Sequence, residues 1–372
     1  MAAGSISFAR GAPSADIMPA DELRAAADAA LRQDPAGSLS YGAGTGYGPL
    51  RDWIADRHGV DPATVLVANG SLEAGIMLFD HLVAPGAPVV VEAPSYDRTL
   101  LALRERGAEL LPIALEDDGL DVAALERALE RGARPSFAHV IPNFHNPAGC
   151  TLSLAKRERL LELASQADFI VFEDDPYREV RFDGEDLPTM YSLDSEQRVV
   201  YASSFSKTIA PGVRVGYLIG PPDVIAAVAR AAVNTYISPN MLAQSIVGEF
   251  CRSGAIERSI ATVRSALRER RDAVAEALER HFGDDARFVL PEGGYFLWVE
   301  LPEDVDTALL LAAAQERGVT FVKGADFMVE GGHNALRLAY SAVTPEQARE
   351  GVRILAEARA ALPDSQAARA AT

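Results

Sequence analysis

The chain has 372 residues, 35 Lys+Arg against 53 Asp+Glu for a net charge of −18, 48% hydrophobic residues and two cysteines. So acidic a chain opposes nucleic acid as a partner, because phosphate backbones are bound by basic surface, and Cys150 and Cys251 are too few for a disulfide framework or a thiolate zinc site. Met1–Pro13 lacks the order of a secretory leader and no run reaches the roughly 18 apolar residues of a membrane helix, so no membrane role and a cytoplasmic location are expected.

A length near 370 exceeds what single cores reach and predicts two structural units with room for a buried site. In chain order, the glycine-rich Tyr41-Gly42-Ala43-Gly44-Thr45-Gly46-Tyr47-Gly48 comes first. Its spacing does not match GxGxxG and it follows a helical run, so a dinucleotide fingerprint is rejected. Strand-like β-branched runs follow at Val65–Val67, Pro88–Glu92, Glu109–Ile113, Ser136–Pro142, Phe169–Asp174, Arg198–Ser204 and Arg214–Ile219. Helical patterns at Leu72–Leu82, Tyr96–Arg106, Val122–Arg131 and Leu154–Gln166 separate them. Strand, crossover helix and parallel strand are the expected consequence, an α/β fold. After Pro221 the pattern changes. A long helix around Ile256–Phe282, strands at Tyr295–Glu300 and Ala335–Ala339, and a helix capped by Thr344-Pro345-Glu346-Gln347 predict a smaller α+β unit.

The chemistry-bearing residues sit where strands end. Asn69-Gly70-Ser71, Tyr96, Asn143 and Asn146, Asp174 and Tyr177, and Ser204 and Lys207 each follow a strand's carboxyl end, the edge where open α/β sheets bind ligands. Gly70-Ser71 opens a helix whose N–H groups suit a phosphate, or Ser71 is an ordinary N-cap. Lys207 near cationic Arg214 has the setting of a nucleophilic amine, and Arg214 can fork onto phosphate oxygens. Glu173-Asp174-Asp175 after a buried strand calls for a cationic partner such as a protonated ring nitrogen. The rival metal reading lacks a second carboxylate cluster, so no metal is expected. His139 reads as a packed strand residue.

On these residues the chain resembles the fold-type I pyridoxal-phosphate (PLP) enzymes, and within them the class I/II aminotransferases, most nearly the bacterial 2-aminoadipate group. The resemblance runs from Phe8-Ala9-Arg10-Gly11-Ala12-Pro13-Ser14 through Pro142-Asn143-Phe144-His145-Asn146-Pro147-Ala148-Gly149, Glu173-Asp174-Asp175-Pro176-Tyr177 and Ser204-Phe205-Ser206-Lys207 to Pro291-Glu292-Gly293-Gly294-Tyr295-Phe296 and Leu336-Arg337-Leu338. It implies a large domain, 36–255, with a mostly parallel seven-stranded sheet flanked by helices, a small α+β domain, 256–362, an N-terminal segment, 1–35, packing with the small domain, and a disordered tail, 363–372. It makes Lys207 the Schiff-base lysine and proton carrier, pairs Asp174 with the pyridinium nitrogen, and places Asn146 and Tyr177 on the phenolic oxygen. Tyr96 would stack on the ring, and Gly70, Ser71, Ser204, Ser206 and Arg214 would hold the phosphate. Arg337, with Asn146, would take the substrate α-carboxylate, and Tyr41 would reach the other subunit's site in a homodimer.

The chain departs from relatives in having Leu72-Glu73 after Gly-Ser, and His145 and Ala148 around Asn146-Pro147. His145 is expected to pack rather than read substrate. Arg10 is a candidate for an acidic substrate side chain. The activity implied is amino transfer between an L-amino acid and a 2-oxoacid by a ping-pong mechanism, with glutamate/2-oxoglutarate as one pair. A PLP lyase, replacement or cyclising enzyme would use the same motifs. A non-catalytic PLP-binding sensor fused to a DNA-binding head is the third reading, opposed by the charge and by a pattern that begins at residue 8.

Overall fold

The computed structural model describes residues 5–362, and the expected tail 363–372 lies outside the described residues. Val, Ile and Phe concentrate in short runs because β-branched and aromatic side chains suit a sheet buried on both faces. In spatial order the strands are Val65–Ala68, Gly216–Ile219, Val199–Ser204, Ile170–Asp174, Phe137–Val140, Pro88–Ala93, Glu109–Glu116 and Gly119–Leu120. Those from Val199–Ser204 to Glu109–Glu116 run parallel, and Gly216–Ile219 is antiparallel to both its neighbours. The expected seven strands gain a short eighth. Gly119–Leu120 folds back on Leu115–Glu116, a reversal eased by Gly119 at φ 99°.

Helices cover both faces, as parallel strands require. Leu66, Val89 and Val91 pack with Ser71–Leu82, Asp97–Glu105 and Pro222–Tyr236. Val90, Val140 and Val171 pack oppositely with Val122–Glu130 and Leu154–Ala167. Val89, Val90 and Val91 thus alternate between two cores with the strand's period of two.

The 28-residue helix Ala255–Phe282 and the helix Pro345–Ala360 pack together beside a three-stranded antiparallel sheet ordered Phe296–Glu300, Ala335–Ala339, Val322–Lys323. Thr344 caps the second helix as expected: the Gln347 amide donates to Thr344 Oγ1 (3.2 Å) and the Thr344 amide to Gln347 Oε1 (3.0 Å).

Within residues 5–35, the described part of the N-terminal segment, different stretches meet different cores. Ile6–Ser7 pairs with Val319–Thr320, and Ile6, Phe8 and Ile17 join that core. The helix Ala20–Gln33 packs instead on Met241–Arg252, and Ala26 joins the large-sheet side. Its buried positions, Ala26 and Ala30, are small enough to let two helices approach closely.

Candidate active site

The carboxyl edge of the sheet brings the strand-end residues around one cavity of about 180 Å3. At one end, Ala68 closes its strand and Gly70 turns the chain at φ 112° into the helix that Ser71 opens. Gly70, not Ser71, is the N-cap, and the Ser71 hydroxyl makes no capping bond, so the ordinary-cap reading of Ser71 does not hold. A Cβ on Gly70 would lie 2.5 Å from Arg214 Nη2, and one on Gly216 would overlap the Ser71 amide nitrogen. Both glycines thus keep the helix amides and Arg214 close together. Ser204 Oγ accepts from the Ser206 amide (3.1 Å) and donates to the Val215 carbonyl (3.4 Å). Ser206 Oγ is buried with no protein partner among the described residues. Arg214 is exposed, and its Nη2 donates to the Asn69 carbonyl at 3.3 Å.

Lys207 occupies the middle of the cavity. Its Nζ donates to the Gly11 carbonyl (2.7 Å) and lies 5.4 and 5.2 Å from the ring centres of Tyr177 and Tyr295. Tyr295 OH donates to the Lys207 carbonyl (2.6 Å) and pins the backbone. Burial, then the charges of Arg337 and Arg214, push the amine down to about 8 against the opposing pull of Asp174. Such an amine can exchange a proton near neutrality and attack a carbonyl.

Asp174 ends Ile170–Asp174, with its Oδ2 3.4 Å from His139 Nε2. His139 is packed in its strand as expected, yet it also backs Asp174, a contact the strand pattern could not reveal. Tyr177 is buried and Tyr96 half-buried. Desolvation raises the Tyr177 phenol well above its ordinary range and pushes Tyr96 up to about 12, so both remain neutral at physiological pH.

The far end is dry. The Arg337 guanidinium lies between the rings of Phe296 and Phe327, 4.3 and 4.7 Å from their centres. Nη1 donates to Asn146 Oδ1 (2.9 Å), Nη2 donates to the Ala9 carbonyl (2.7 Å), and Nε is buried with no partner among the described residues. His145 is fully buried, accepts from the Ala148 amide (3.2 Å) and lies 3.0 Å from Glu92 Oε2, so it packs beneath the Asn146 turn.

Two expected residues stand outside this cluster. Tyr41 is 82% exposed. Arg10 is also exposed, although the carbonyls on either side of it, of Ala9 and Gly11, reach Arg337 and Lys207. Sequence reasoning missed His139, Tyr295, Phe327 and these two carbonyls. Only Tyr295, inside the Gly293-Gly294-Tyr295-Phe296 motif, carried a local signal.

The donor set fits a phosphorylated pyridine aldehyde. A cation, free hydroxyls and helix amides gather at one end, a carboxylate and two phenols further in, and an amine of lowered basicity between them. An unpartnered buried hydroxyl on Ser206 and an unpartnered Nε on Arg337 are polar groups that a bound anion would satisfy. This edge-built site on a doubly wound sheet defines a fold-type I PLP enzyme. Residues 6–355 match the family model for aminotransferases of class I and II, and the chain belongs to that family as a PLP-dependent aminotransferase. It is 37% identical over 359 residues to 2-aminoadipate transaminase of Thermus thermophilus, covering 95% of this chain and 90% of that one. It is 35% identical to aromatic-amino-acid aminotransferase 1 of Thermococcus litoralis, over 95% and 87% of the two chains. Its structure matches the alpha-aminoadipate aminotransferase of T. thermophilus, complexed with N-(5'-phosphopyridoxyl)-L-leucine, with a TM-score of 0.91 at 35% identity over 100% and 94% of the chains.

Proposed function

We propose that this aminotransferase works by a ping-pong mechanism on L-amino acids and 2-oxoacids, with glutamate/2-oxoglutarate as one pair, in a homodimer with shared sites. The observation that carries the reading is Arg337. A guanidinium desolvated between two rings, with Nε unpartnered and Asn146 alongside, suits a carboxylate common to both substrates. PLP, when bound, supplies the sink for the electrons left at the substrate α-carbon. Lys207 would move the proton between that carbon and the C4′ position of the bound cofactor, a role its lowered basicity favours. Asp174, backed by His139, would hold the proton on the ring nitrogen, while Asn146 and Tyr177 would hydrogen-bond the phenolic oxygen. Tyr96 would stack on the ring, and Gly70, Ser71, Ser204, Ser206 and Arg214 would hold the phosphate.

Dimerisation draws its support from Leu39, Tyr41, Val233, Ile237 and Leu242, large apolar side chains that are exposed in one chain. Tyr41 in that set is the group that would cross to the partner's site. Arg10, exposed beside two site-facing carbonyls, would meet an acidic substrate side chain. We assign the domains as 36–255 and 256–362, with the active site at their junction, and place the enzyme in the cytoplasm. Among the described residues no helix is long and apolar enough to cross a membrane.

The test is the visible spectrum of the holoenzyme with single amino acids and no oxoacid. Bleaching of the yellow band by glutamate, and its return with 2-oxoglutarate, is expected. A band that no amino acid bleaches while ammonia is released would move the assignment to a PLP lyase.

A further inference from the structure

Behind the cofactor cavity lies a buried polar chain that the reaction does not use. Arg157, Asn143 and Asp175 are respectively 0%, 2% and 0% exposed. Arg157, on the helix Leu154–Ala167, donates from Nη2 to Asn143 Oδ1 at 2.8 Å and to the Pro142 carbonyl at 3.2 Å. Its Nε and Nη1 donate to the carbonyls of Leu152 (2.9 Å) and Pro188 (2.8 Å). Asn143 Nδ2 in turn faces both carboxylate oxygens of Asp175, at 2.9 Å each. The Asp175 backbone is locked as well: its amide donates to the Ala202 carbonyl (2.8 Å), and its carbonyl accepts from Ser203 Oγ (3.0 Å).

The position of these groups gives the chain its meaning. Asp175 directly follows Asp174, and Asn143 lies three residues before Asn146 in the turn that reaches Arg337. Without the Asn143–Asp175 bond, the strand end carrying Asp174 and the loop carrying Asn146 would lack this direct side-chain tie. We propose that Arg157, Asn143 and Asp175 are positioning residues that hold Asp174 and Asn146 at a fixed separation, and so set how strongly the two ends of the cofactor ring are polarised. The proposal rests on Asp174 and Asn146 being cofactor contacts.

The electrostatics agree with a built device. A buried arginine is expensive unless its donors are matched, and here carbonyls, an amide oxygen and nearby carboxylates match it. The charged groups facing Asp175 are Arg157 and Arg178, with Asp174 and Glu173 of its own segment. Burial raises both the Asp175 and Glu173 carboxyls, and Arg157, with the Asn143 amide on Asp175, pulls them back toward the charged form.

The test is a swap, read from the pH midpoint of the holoenzyme's visible band and from the PLP dissociation constant. Asn143→Asp alone sets two carboxylates face to face, and the midpoint should move by about half a pH unit, roughly threefold in the equilibrium constant. PLP release should rise about tenfold, while KM for the amino acid changes less than kcat. The N143D/D175N double variant puts the carboxylate next to Arg157 and the amide at 175, restoring every donor to an acceptor. Its midpoint should return to within about twofold of wild type. An unmoved midpoint in Asn143→Asp, or a double variant no better than the single one, overturns the proposal. If Asn143→Asp does not fold, the double variant decides: folded with a wild-type midpoint it supports the positioning role, and unfolded or shifted it refutes it. Asp174→Asn runs alongside as a control. An unmoved midpoint there overturns the site reading and the positioning role with it, whereas a midpoint moved there but not in Asn143→Asp overturns the positioning role alone.

Discussion

The two cationic regions of the site, around Arg214 and around Arg337, are built by different means. The Gly70, Ser71, Ser206 and Arg214 end is made of one strand-to-helix turn and the connection between two adjacent strands, and its arginine is exposed. The Arg337 end is assembled from Ala9, Asn146, Phe296, Phe327 and Arg337, segments far apart in the chain, and its arginine is 7% exposed. An exposed cation is screened by water and salt, so that end depends on many weak, redundant donors. A desolvated cation depends on a few exact partners, and losing one leaves a buried polar group unpaired.

Several substitutions would break this contrast. Lys207, between the two ends, carries the largest expected effect. Lys207→Ala should lower single-turnover proton transfer by about ten-thousandfold while the apoprotein still folds. Substantial turnover in that variant would remove Lys207 from the mechanism. Next, Arg337→Ala should reduce kcat/KM by about a hundredfold for amino acids and oxoacids alike, since both present the same carboxylate. Steady-state kinetics on one substrate of each kind would show it. Arg214→Ala should raise the PLP dissociation constant by about tenfold, an effect that shrinks as salt is added, whereas the Arg337 defect should persist at high salt. Equal salt sensitivity at both ends would dissolve the comparison.

The pH dependence of Lys207 sharpens it further. In the folded apoprotein the amine releases its proton near 8, and in the unfolded chain near 10.5. Below 8 both states are protonated and burial of the cation costs stability. Between 8 and 10.5 the unfolded state binds more protons, so this group makes stability rise with pH. Comparing apoprotein melting from pH 7 to 10 in wild type and Lys207→Met should show the wild type gaining relative to the variant. The smallest expected effect is Arg10→Ala, about fivefold lower kcat/KM for acidic amino acids with apolar ones unchanged. An equal loss on both classes would make Arg10 a general strap residue.

Much of the fold was legible because parallel strands buried on both faces are near-continuous β-branched runs, and each expected run overlaps an observed strand. The two-residue strand Gly119–Leu120 was not, being too short to carry a period. Nor was the way residues 5–35 are shared between the two cores, since Ala26 and Ala30 name no partner by themselves. Strand-end residues from Gly70 to Lys207 could be placed on one edge from order alone, because crossover helices make the strands they join parallel and so bring their carboxyl ends to the same side. His139 could not be assigned to Asp174, since pairing of the Phe137–Val140 and Ile170–Asp174 strands is a matter of sheet order rather than of local pattern.

By itself, then, the sequence determined the α/β class, the edge on which the site lies and which side chains could supply its chemistry, since these follow from local periodicity and from what each residue ends. Tertiary structure alone decided the dry setting of Arg337, the Gly11 carbonyl on Lys207, and the Arg157, Asn143, Asp175 chain behind the site. Desolvation and hydrogen-bond partnership depend on which distant segments exclude water from a group, and that is known only once the sheet order and the packing of the two cores are in place.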